Sequence, residues 1–277
     1  MWSKWLSTYV YSTPTADDNN VYVTYNHGGY PVLASFDLRS GELNWLQLVD
    51  DEILACPVVE GSEVHLASQS GQYYVFNKAD GKLILKSNTY KIVSSPTLTE
   101  KNIYVTASIL GKEYLLVLDR KTLKLKKKYN TSFIAYKISK MRNVDETDQM
   151  NFNGSHPIVY KNKYAIITSK NKIMVFDIPT EKLVWKKVVS TNSDQIPIIA
   201  NEKIILITTT GDIMSFDLRT GQSTILKKTN GKIEGQPIAK NGLLYLAAGG
   251  IITVFKTIQS LEWVQWNKDA NHNLFWK

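Results

Sequence analysis

The chain has 277 residues, 43% of them hydrophobic and 21% charged, a composition typical of a globular protein with a large core. Its single cysteine, Cys56, excludes an internal disulfide and a cysteine-cluster metal site. The net charge of +8 is compatible with an anionic partner, although the lysines are scattered along almost the whole chain. No segment approaches the roughly 18 consecutive apolar residues of a transmembrane helix.

The first segment, residues 2–10, has neither the apolar core nor the cleavage site of a secretory signal. We therefore expect either a protein made without a signal or a mature or truncated form. Trp2 lies as far before Pro14 as Trp45 lies before Pro57. This spacing predicts that residues 2–10 form an outer strand, which either closes a ring of strands or is an orphan of upstream units.

Prolines then divide the chain into repeats of about 40 residues, with one interval about 20 residues longer. They are Pro14, Pro57, Pro96, Pro157, Pro197 and Pro237. After each proline come a short apolar run, a polar turn such as residues 60–63, and a second apolar run such as residues 103–106. The runs are too short for helices and are rich in Val, Ile, Tyr and Thr, which predicts two strands joined by a tight turn.

A third predicted strand ends in Asp or Asn in the first five repeats, as in residues 34–37. Gly41 follows in the first repeat and supplies the positive φ of a turn, and Trp45 then opens a fourth strand that packs against the neighbouring repeat. The pattern drifts, with Leu123 and Lys127 in the third repeat and Lys256 in the sixth. The residues predicted to make this structural docking are Trp2, Asp37, Gly41, Trp45, Asn77, Gly81, Asp119, Asp177, Trp185, Asp217, Gly221 and Trp263.

Four antiparallel strands in about 40 residues is the period of a β-propeller blade. We therefore predict an all-β fold, a single β-propeller domain over residues 1–277 with six explicit repeats and six to eight blades in the ring. The last repeat has its own predicted fourth strand around residues 261–266, so this strand and residues 2–10 compete to close the ring.

The pattern Asp37-x-x-x-Gly41-x-x-x-Trp45 resembles the tryptophan-docking motif of pyrroloquinoline-quinone-type propeller repeats, and the resemblance covers about residues 2–265. That family includes quinoprotein alcohol dehydrogenases and a non-enzymatic propeller lipoprotein of the bacterial outer-membrane β-barrel assembly machinery. The resemblance to the second branch implies a protein partner in the cell envelope and a periplasmic or extracytoplasmic location.

Catalysis is not predicted. The dehydrogenases of the resembled family hold a quinone over calcium and use a vicinal cysteine pair, which one cysteine cannot form. No phosphate-binding loop, zinc-protease motif or nucleophile elbow is present. The four histidines are far apart in sequence and Cys56 has no visible activating neighbour. We therefore assign no catalytic, cofactor-binding or metal-binding residue.

The longer interval between prolines indicates a loop insertion at about residues 128–156. Long loops on a repeat scaffold often carry binding function. The basic, aromatic first half could bind an anionic partner, but the acidic run at residues 145–148 would partly cancel its charge in a merely solvated loop. The candidate partner-binding residues are Lys126, Lys127, Lys128, Tyr129, Phe133, Tyr136, Lys137, Lys140 and Arg142.

Three functions remain open from the sequence. The leading hypothesis is a non-catalytic protein-interaction scaffold. The second is a small-ligand-binding or enzymatic propeller using a central channel, although the predicted innermost strands, such as residues 58–59, are apolar. The third is one domain of a larger envelope or sensor protein. Nucleic-acid binding is not favoured, because the lysines show no concentration at one strand position.

Overall fold

The computed structural model describes strands, turns and side chains over most of the chain, and no helix occurs in the described residues. These residues are 2–6, 10, 12–49, 55–88, 90–92, 94–110, 112–130, 157–161, 163–169, 172–180, 182–189, 197–200, 202–208, 210–228, 238–240, 243–248, 251–256, 263–264 and 275–276. The chain divides into two compact units, one built mainly on residues 1–130 and the other mainly on residues 131–270. The expectation of a single domain stays a prediction.

The first unit contains three antiparallel sheets, each corresponding to one sequence repeat. The first sheet consists of β1 (Thr15–Ala16), β2 (Asn20–His27), β3 (Tyr30–Asp37) and β4 (Leu43–Leu48). The second consists of β5 (Val58–Glu60), β6 (Glu63–Ala67), β7 (Gln72–Asn77) and β8 (Leu83–Asn88). The third contains β9 (Lys91–Ile92), β10 (Thr97–Thr99), β11 (Asn102–Ile109), β12 (Lys112–Asp119) and β13 (Leu125–Asn130), and β26 (Phe275–Trp276) also belongs to it.

The second unit continues the same pattern. The fourth sheet consists of β14 (Ile158–Tyr160), β15 (Tyr164–Ser169), β16 (Lys172–Asp177) and β17 (Lys182–Val188). The fifth consists of β18 (Ile198–Ala200), β19 (Lys203–Ile207), β20 (Asp212–Asp217), β21 (Ser223–Lys228) and β25 (Trp263–Val264). The sixth consists of β22 (Ile238–Lys240), β23 (Leu243–Ala248) and β24 (Ile251–Lys256).

The four-stranded repeat predicted from the prolines is present, because in the first five sheets the strands pair in chain order from the first to the fourth. The fourth strands begin earlier than predicted: β4 starts at Leu43, two residues before Trp45. A β-bulge next to Trp45 in the pairing of β3 with β4 accommodates this earlier start.

The predicted fourth strand of the last repeat is wrong. Trp263 and Val264 pair with Ala200 and Ile199 of β18, at the first-strand edge of the fifth sheet. Lys256 explains part of the difference, because a lysine cannot form the side-chain-capped turn that Asp or Asn provides after the third strand. Trp263 also stands one residue before the position that the motif spacing gives from Lys256, so each side chain of a fourth strand here would lie on the opposite face.

The cores lie between neighbouring sheets. Tyr22 and Leu33 of the first sheet share one cluster with Val64 and Tyr74 of the second. Val23, the next residue along β2, belongs to a separate cluster on the other face. The second unit repeats this arrangement, with residues of the fourth and fifth sheets in one cluster. Sheets buried on both faces are what stacked propeller blades require.

The N-terminal segment contacts the first sheet. Residues 2–6 lie outside any strand, and Val10 forms an isolated bridge with Tyr25. Leu6 packs against the cluster that contains Val23 and Phe36. The closing or orphan strand at residues 2–10 therefore stays a prediction.

Candidate protein-interaction surface

The turn after each third strand is built on its Asp or Asn. In the first sheet, Oδ1 of Asp37 accepts the backbone N–H groups of Arg39 at 2.9 Å and Ser40 at 2.7 Å. Gly41 follows with φ of 73° and donates its N–H to the Asp37 carbonyl at 2.9 Å. The hydrogen bonds that the Asp37 carboxylate accepts, first those from Ser40 and then the one from Arg39, lower its pKa. Equivalent turns begin at Asn77, Asp119, Asp177 and Asp217.

Three indoles lie on the turn of a neighbouring repeat. Nε1 of Trp45 donates to the carbonyl of Lys78 at 2.9 Å, and a Cβ placed on Gly81 would lie only 2.6 Å from the Trp45 ring. Trp185 has the same relation to the Leu218 carbonyl, at 2.8 Å, and to Gly221. Each glycine therefore leaves the space that the indole fills.

Trp2 has this relation to the first sheet. Its Nε1 donates to the Leu38 carbonyl at 2.9 Å, and a Cβ on Gly41 would lie 2.5 Å from its ring. Residues 2–6 thus make fourth-strand contacts without lying in a strand. The side chain of Trp263 lies outside the described residues, so its predicted docking stays a prediction.

At Trp2 and Trp185, a lysine two residues after the tryptophan also contacts the neighbouring turn, through the carbonyl of its glycine. The sequence analysis did not identify this contact. Nζ of Lys4 donates to the Gly41 carbonyl at 3.2 Å and lies 5.1 Å from the Phe36 ring centre. Nζ of Lys187 donates to the Gly221 carbonyl at 3.1 Å and lies 5.6 Å from the Phe216 ring centre. The shared Trp-x-Lys sequence was the available signal.

The pairing of the second repeat with the third departs from tryptophan and glycine in both members. Leu123 takes the place of the glycine, with φ of 57° and 2% exposure. The second repeat carries Leu85 where the first has Trp45. Two leucines of intermediate size thus replace the large tryptophan and the glycine, which has no side chain.

The basic segment predicted as a loop is partly a strand, which corrects the start of the insertion. Lys126, Lys127, Lys128 and Tyr129 all lie in β13, the fourth strand of the third sheet. Their pairing with β12 explains this, because the residues of β12 opposite them, Leu115 to Val117, are buried. The other candidates, Phe133, Tyr136, Lys137, Lys140 and Arg142, lie outside the described residues.

Two of these lysines have defined surroundings. Nζ of Lys126 contacts Oδ2 of Asp119 at 2.7 Å, and this contact is the main reason that the pKa of Asp119 falls to about 2. Nζ of Lys128 lies 4.8 Å from the Tyr114 ring centre and 5.5 Å from that of Tyr90. Both contacts are cation–π in geometry.

Lysines are frequent on four of the five fourth strands that the structure describes, whereas the prediction concerned a concentration at one strand position. The five fourth strands that the structure describes carry nine lysines and no Asp or Glu. The lysines are Lys86, Lys126, Lys127, Lys128, Lys182, Lys186, Lys187, Lys227 and Lys228.

A buried polar network, also missed from the sequence, joins the second and third repeats. His65 is fully buried, with Nε2 3.1 Å from Oε2 of Glu63 and Nδ1 3.2 Å from the Tyr73 hydroxyl. Arg120 donates from Nη2 to the same Glu63 oxygen at 2.9 Å and from Nη1 to the Thr99 carbonyl at 3.2 Å.

The network fixes the protonation of its members. Burial lowers the pKa of His65, and the His65 and Arg120 hydrogen bonds lower the pKa of Glu63 to about 2. Because the ionised Glu63 carboxylate only accepts hydrogen bonds, the neutral His65 imidazole donates one from Nε2, and Nδ1 accepts one from the Tyr73 hydroxyl. Glu63 and His65, two apart on one strand, share a face, and that spacing was the sequence signal.

The sulfhydryl of Cys56 is in the core. The residue is 5% exposed, its backbone N–H donates to Ser95 Oγ at 2.8 Å, and burial raises the pKa of its thiol. Across the described residues, no three His, Cys, Asp or Glu side chains are grouped as metal ligands. Within the same residues, no helix is long and apolar enough to span a membrane.

Comparisons with known proteins place this geometry in a family. The family model for the outer membrane protein assembly factor BamB matches residues 31–265. The solved structure of BamB from Moraxella catarrhalis is 16% identical, with a TM-score of 0.60, over 89% of this chain and 85% of that one. No curated protein matches the chain significantly.

Other propellers have the same fold. A quinohemoprotein alcohol dehydrogenase from Pseudomonas putida HK5 is 14% identical with a TM-score of 0.64, over 87% of this chain and 51% of that one. The computationally designed Ika8 protein is 14% identical with a TM-score of 0.61, over 89% of this chain and 70% of that one. At these identities the likeness shows the fold, which is an all-β propeller.

The residues of this chain do not fit the quinone site that the dehydrogenase branch implies. A vicinal cysteine pair requires two cysteines, and Cys56 is the only one. In the part of the chain that the structure describes, Asp37 caps a turn, Glu63 pairs with Arg120, and no three carboxylates converge as calcium ligands would.

Proposed function

Because the chain belongs to the family of the outer membrane protein assembly factor BamB, we propose that it is a non-catalytic protein-interaction scaffold of the bacterial cell envelope. The family match over residues 31–265 is the observation that carries this proposal. The partner would be an envelope protein that takes part in outer-membrane protein assembly, and the location would be periplasmic or extracytoplasmic.

The side chains of the innermost strands support a scaffold. Val58, Leu98, Ile158 and Ile199 are each at most 2% exposed, so these positions serve packing. Binding would then fall to the hairpin tips and to the fourth strands, which end the sheets.

Quinone-dependent oxidation is not part of the proposal. The relatives that carry that chemistry are about twice as long as the portion matched here, since the chain covers 51% of the Pseudomonas enzyme. The absence of a second cysteine removes one element that the dehydrogenase branch uses. A shared fold is a weak indicator of shared chemistry.

The test is capture from a detergent-solubilised envelope fraction of a Gram-negative bacterium on the immobilised chain, with proteins identified by mass spectrometry. We expect enrichment of outer-membrane assembly proteins over a column carrying a soluble quinoprotein dehydrogenase of similar fold. In parallel, the chain supplied with pyrroloquinoline quinone, calcium and primary alcohols should not reduce a dye. Dye reduction with no captured protein would contradict the proposal.

A further inference from the structure

Residues 2–6 contact the first sheet through three side chains at alternate positions of the segment. The Trp2 indole fills the space that Gly41 leaves. The Lys4 ammonium donates to the carbonyl of the same glycine at 3.2 Å, and Leu6 packs against the apolar cluster of that sheet. Contacts at every second residue are those of an extended segment that lies with one face on the sheet.

The same three contacts recur in the second unit. Trp185 fills the space that Gly221 leaves, and Lys187 donates to the Gly221 carbonyl at 3.1 Å. Val189, two residues further, is buried in the cluster shared by the fourth and fifth sheets. The element common to both places is therefore Trp-x-Lys-x-aliphatic, read at its first, third and fifth residues.

The two places differ in how the segment is attached to the fold. Trp185 and Lys187 lie within β17, which pairs with β16. Residues 2–6 lie outside any strand, and the hydrogen bonds described for them are donated by side chains. Trp2 is also 37% exposed, against 7% for Trp45. The first sheet thus holds residues 2–6 by the contacts of a bound peptide, which can leave without breaking a strand pairing of its own.

We propose that the first sheet has a binding site for a Trp-x-Lys-x-aliphatic segment, and that residues 2–6 of a second copy exchange into it. The site consists of the Leu38 carbonyl, the space and carbonyl of Gly41, and the apolar cluster around Phe36. A second copy is the matching occupant, because each copy carries a ligand that fits the site. Such a site would operate whether or not the chain is a scaffold of the envelope.

The linkage between site and ligand decides when exchange occurs. A ligand on the same chain is present at a high effective concentration, so residues 2–6 fill their own site first. Exchange should therefore become measurable when the contact within one chain is weakened.

Two variants separate the site from its ligand. Trp2→Ala/Lys4→Ala removes two of the three ligand side chains and leaves the site open. Gly41→Ala keeps the ligand but closes the site, because the added Cβ would lie 2.5 Å from the Trp2 ring. Gly61→Ala is the matched control: Gly61 has a φ of 60°, but among the described residues no atom lies within 4 Å of an added Cβ.

The first experiment measures binding of the labelled, acetylated and amidated peptide Trp-Ser-Lys-Trp-Leu, the sequence of residues 2–6, by fluorescence anisotropy. We expect the Trp2→Ala/Lys4→Ala chain to bind it about tenfold or more tightly than the unaltered chain, whose site is filled. Adding Gly41→Ala to the double variant should weaken binding about tenfold or more. Adding Gly61→Ala should change it less than about twofold. Equal affinities with and without Gly41→Ala would overturn the site.

The peptide supplies its own control, because it contains two tryptophans. Replacing the first by alanine should lower affinity for the double variant about tenfold or more. Replacing the second should change affinity less than about twofold, since the equivalent Trp5 is exposed in the chain. Equal losses for the two peptides would overturn the recognition of Trp-x-Lys.

A measurement that needs only the double variant covers the case in which Gly41→Ala does not fold. The peptide should slow amide hydrogen exchange in residues 38–41 of the Trp2→Ala/Lys4→Ala chain and leave the exchange of residues 78–81 unchanged. Equal effects on the two turns, or none on either, would overturn the placement of the site.

Mixing two variants tests exchange between copies. The Gly41→Ala chain offers a free ligand and the Trp2→Ala/Lys4→Ala chain offers an open site. Sedimentation velocity of the mixture should therefore show a heterodimer that neither variant forms alone, and the peptide in excess should dissociate it. A mixture of folded variants without heterodimer would overturn the second copy as the occupant.

Discussion

At the residue scale, the fit between a tryptophan and a glycine recurs across this fold. The Trp45 side chain is 7% exposed and donates a hydrogen bond to the turn of the second repeat. Gly81 combines a φ of 72° with the close approach of that ring, so it satisfies two requirements that no other residue meets without strain. The pair therefore couples backbone conformation to packing between repeats.

Removing the indole of Trp45 tests this coupling. Trp45→Ala should lower the free energy of unfolding by about 3–5 kcal/mol, because it leaves a cavity and an unpaired carbonyl at Lys78. Trp5→Ala is the matched control, since Trp5 is 85% exposed, and should change stability by less than about 0.5 kcal/mol. Urea denaturation measures both, and equal stabilities would contradict the docking role.

The leucines at the tryptophan position of the second repeat and the glycine position of the third, Leu85 and Leu123, allow a test by substitution and rescue. Leu85→Trp should destabilise by about 1–3 kcal/mol, because Leu123 fills the space that a glycine leaves elsewhere. Leu85→Trp/Leu123→Gly should recover part of that loss by restoring the pairing seen at Trp45 and Gly81. A double-mutant cycle in urea gives the coupling, and additive losses would show that the two positions do not pack together.

The buried network predicts sensitivity to acid. Burial holds the pKa of His65 in the folded chain below the ordinary histidine value of about 6.5, so the unfolded chain binds the proton more readily. Stability should therefore fall as pH drops below about 6.5, with Glu63, Tyr73 and Arg120 the charged and titratable groups facing the imidazole.

Urea denaturation of the chain and His65→Gln between pH 7.5 and pH 5 measures this effect. The variant should be less stable at pH 7.5 but should show a smaller further loss towards pH 5. His27→Gln, at an exposed position, should keep the full pH dependence. Identical pH profiles for all three proteins would show that His65 does not couple folding to protonation.

At the element scale, local signals predicted strands well and longer-range pairing poorly. The Asp37 and Gly41 turn could be predicted because both requirements lie within five residues of chain. Residues 126–129 were predicted as a loop because a lysine run has no alternation of apolar and polar residues. They form a strand because they pair with the buried residues of β12. The pairing of Trp263 with β18 could not be predicted, because it joins distant segments.

The candidate site shows the same division. Sequence analysis selected Lys126 to Tyr129 for their charge and aromatic content. It did not predict that they lie on a strand at the edge of a sheet. The Glu63 and Arg120 contact lies between two repeats, so only the folded chain brings these residues together.

At the scale of the whole molecule, the family match and the propeller fold support one function and the side chains refine it. Apolar innermost strands, tryptophans on neighbouring turns and a buried ionic network all serve to hold sheets together. The lysine-rich fourth strands are the part of the described chain whose composition packing does not explain. Packed sheets with charged strands are suited to assembling other proteins.

The most direct test of the scaffold function is photo-crosslinking in living cells of a Gram-negative bacterium that produces the chain. A photoreactive amino acid would replace one exposed fourth-strand residue at a time: Leu48, Ile84, Lys128, Val188 or Leu226. We predict an envelope assembly protein cross-linked from at least one position, most strongly from Lys128. A folded, correctly located chain that cross-links to no protein from any of the five positions would contradict the scaffold function.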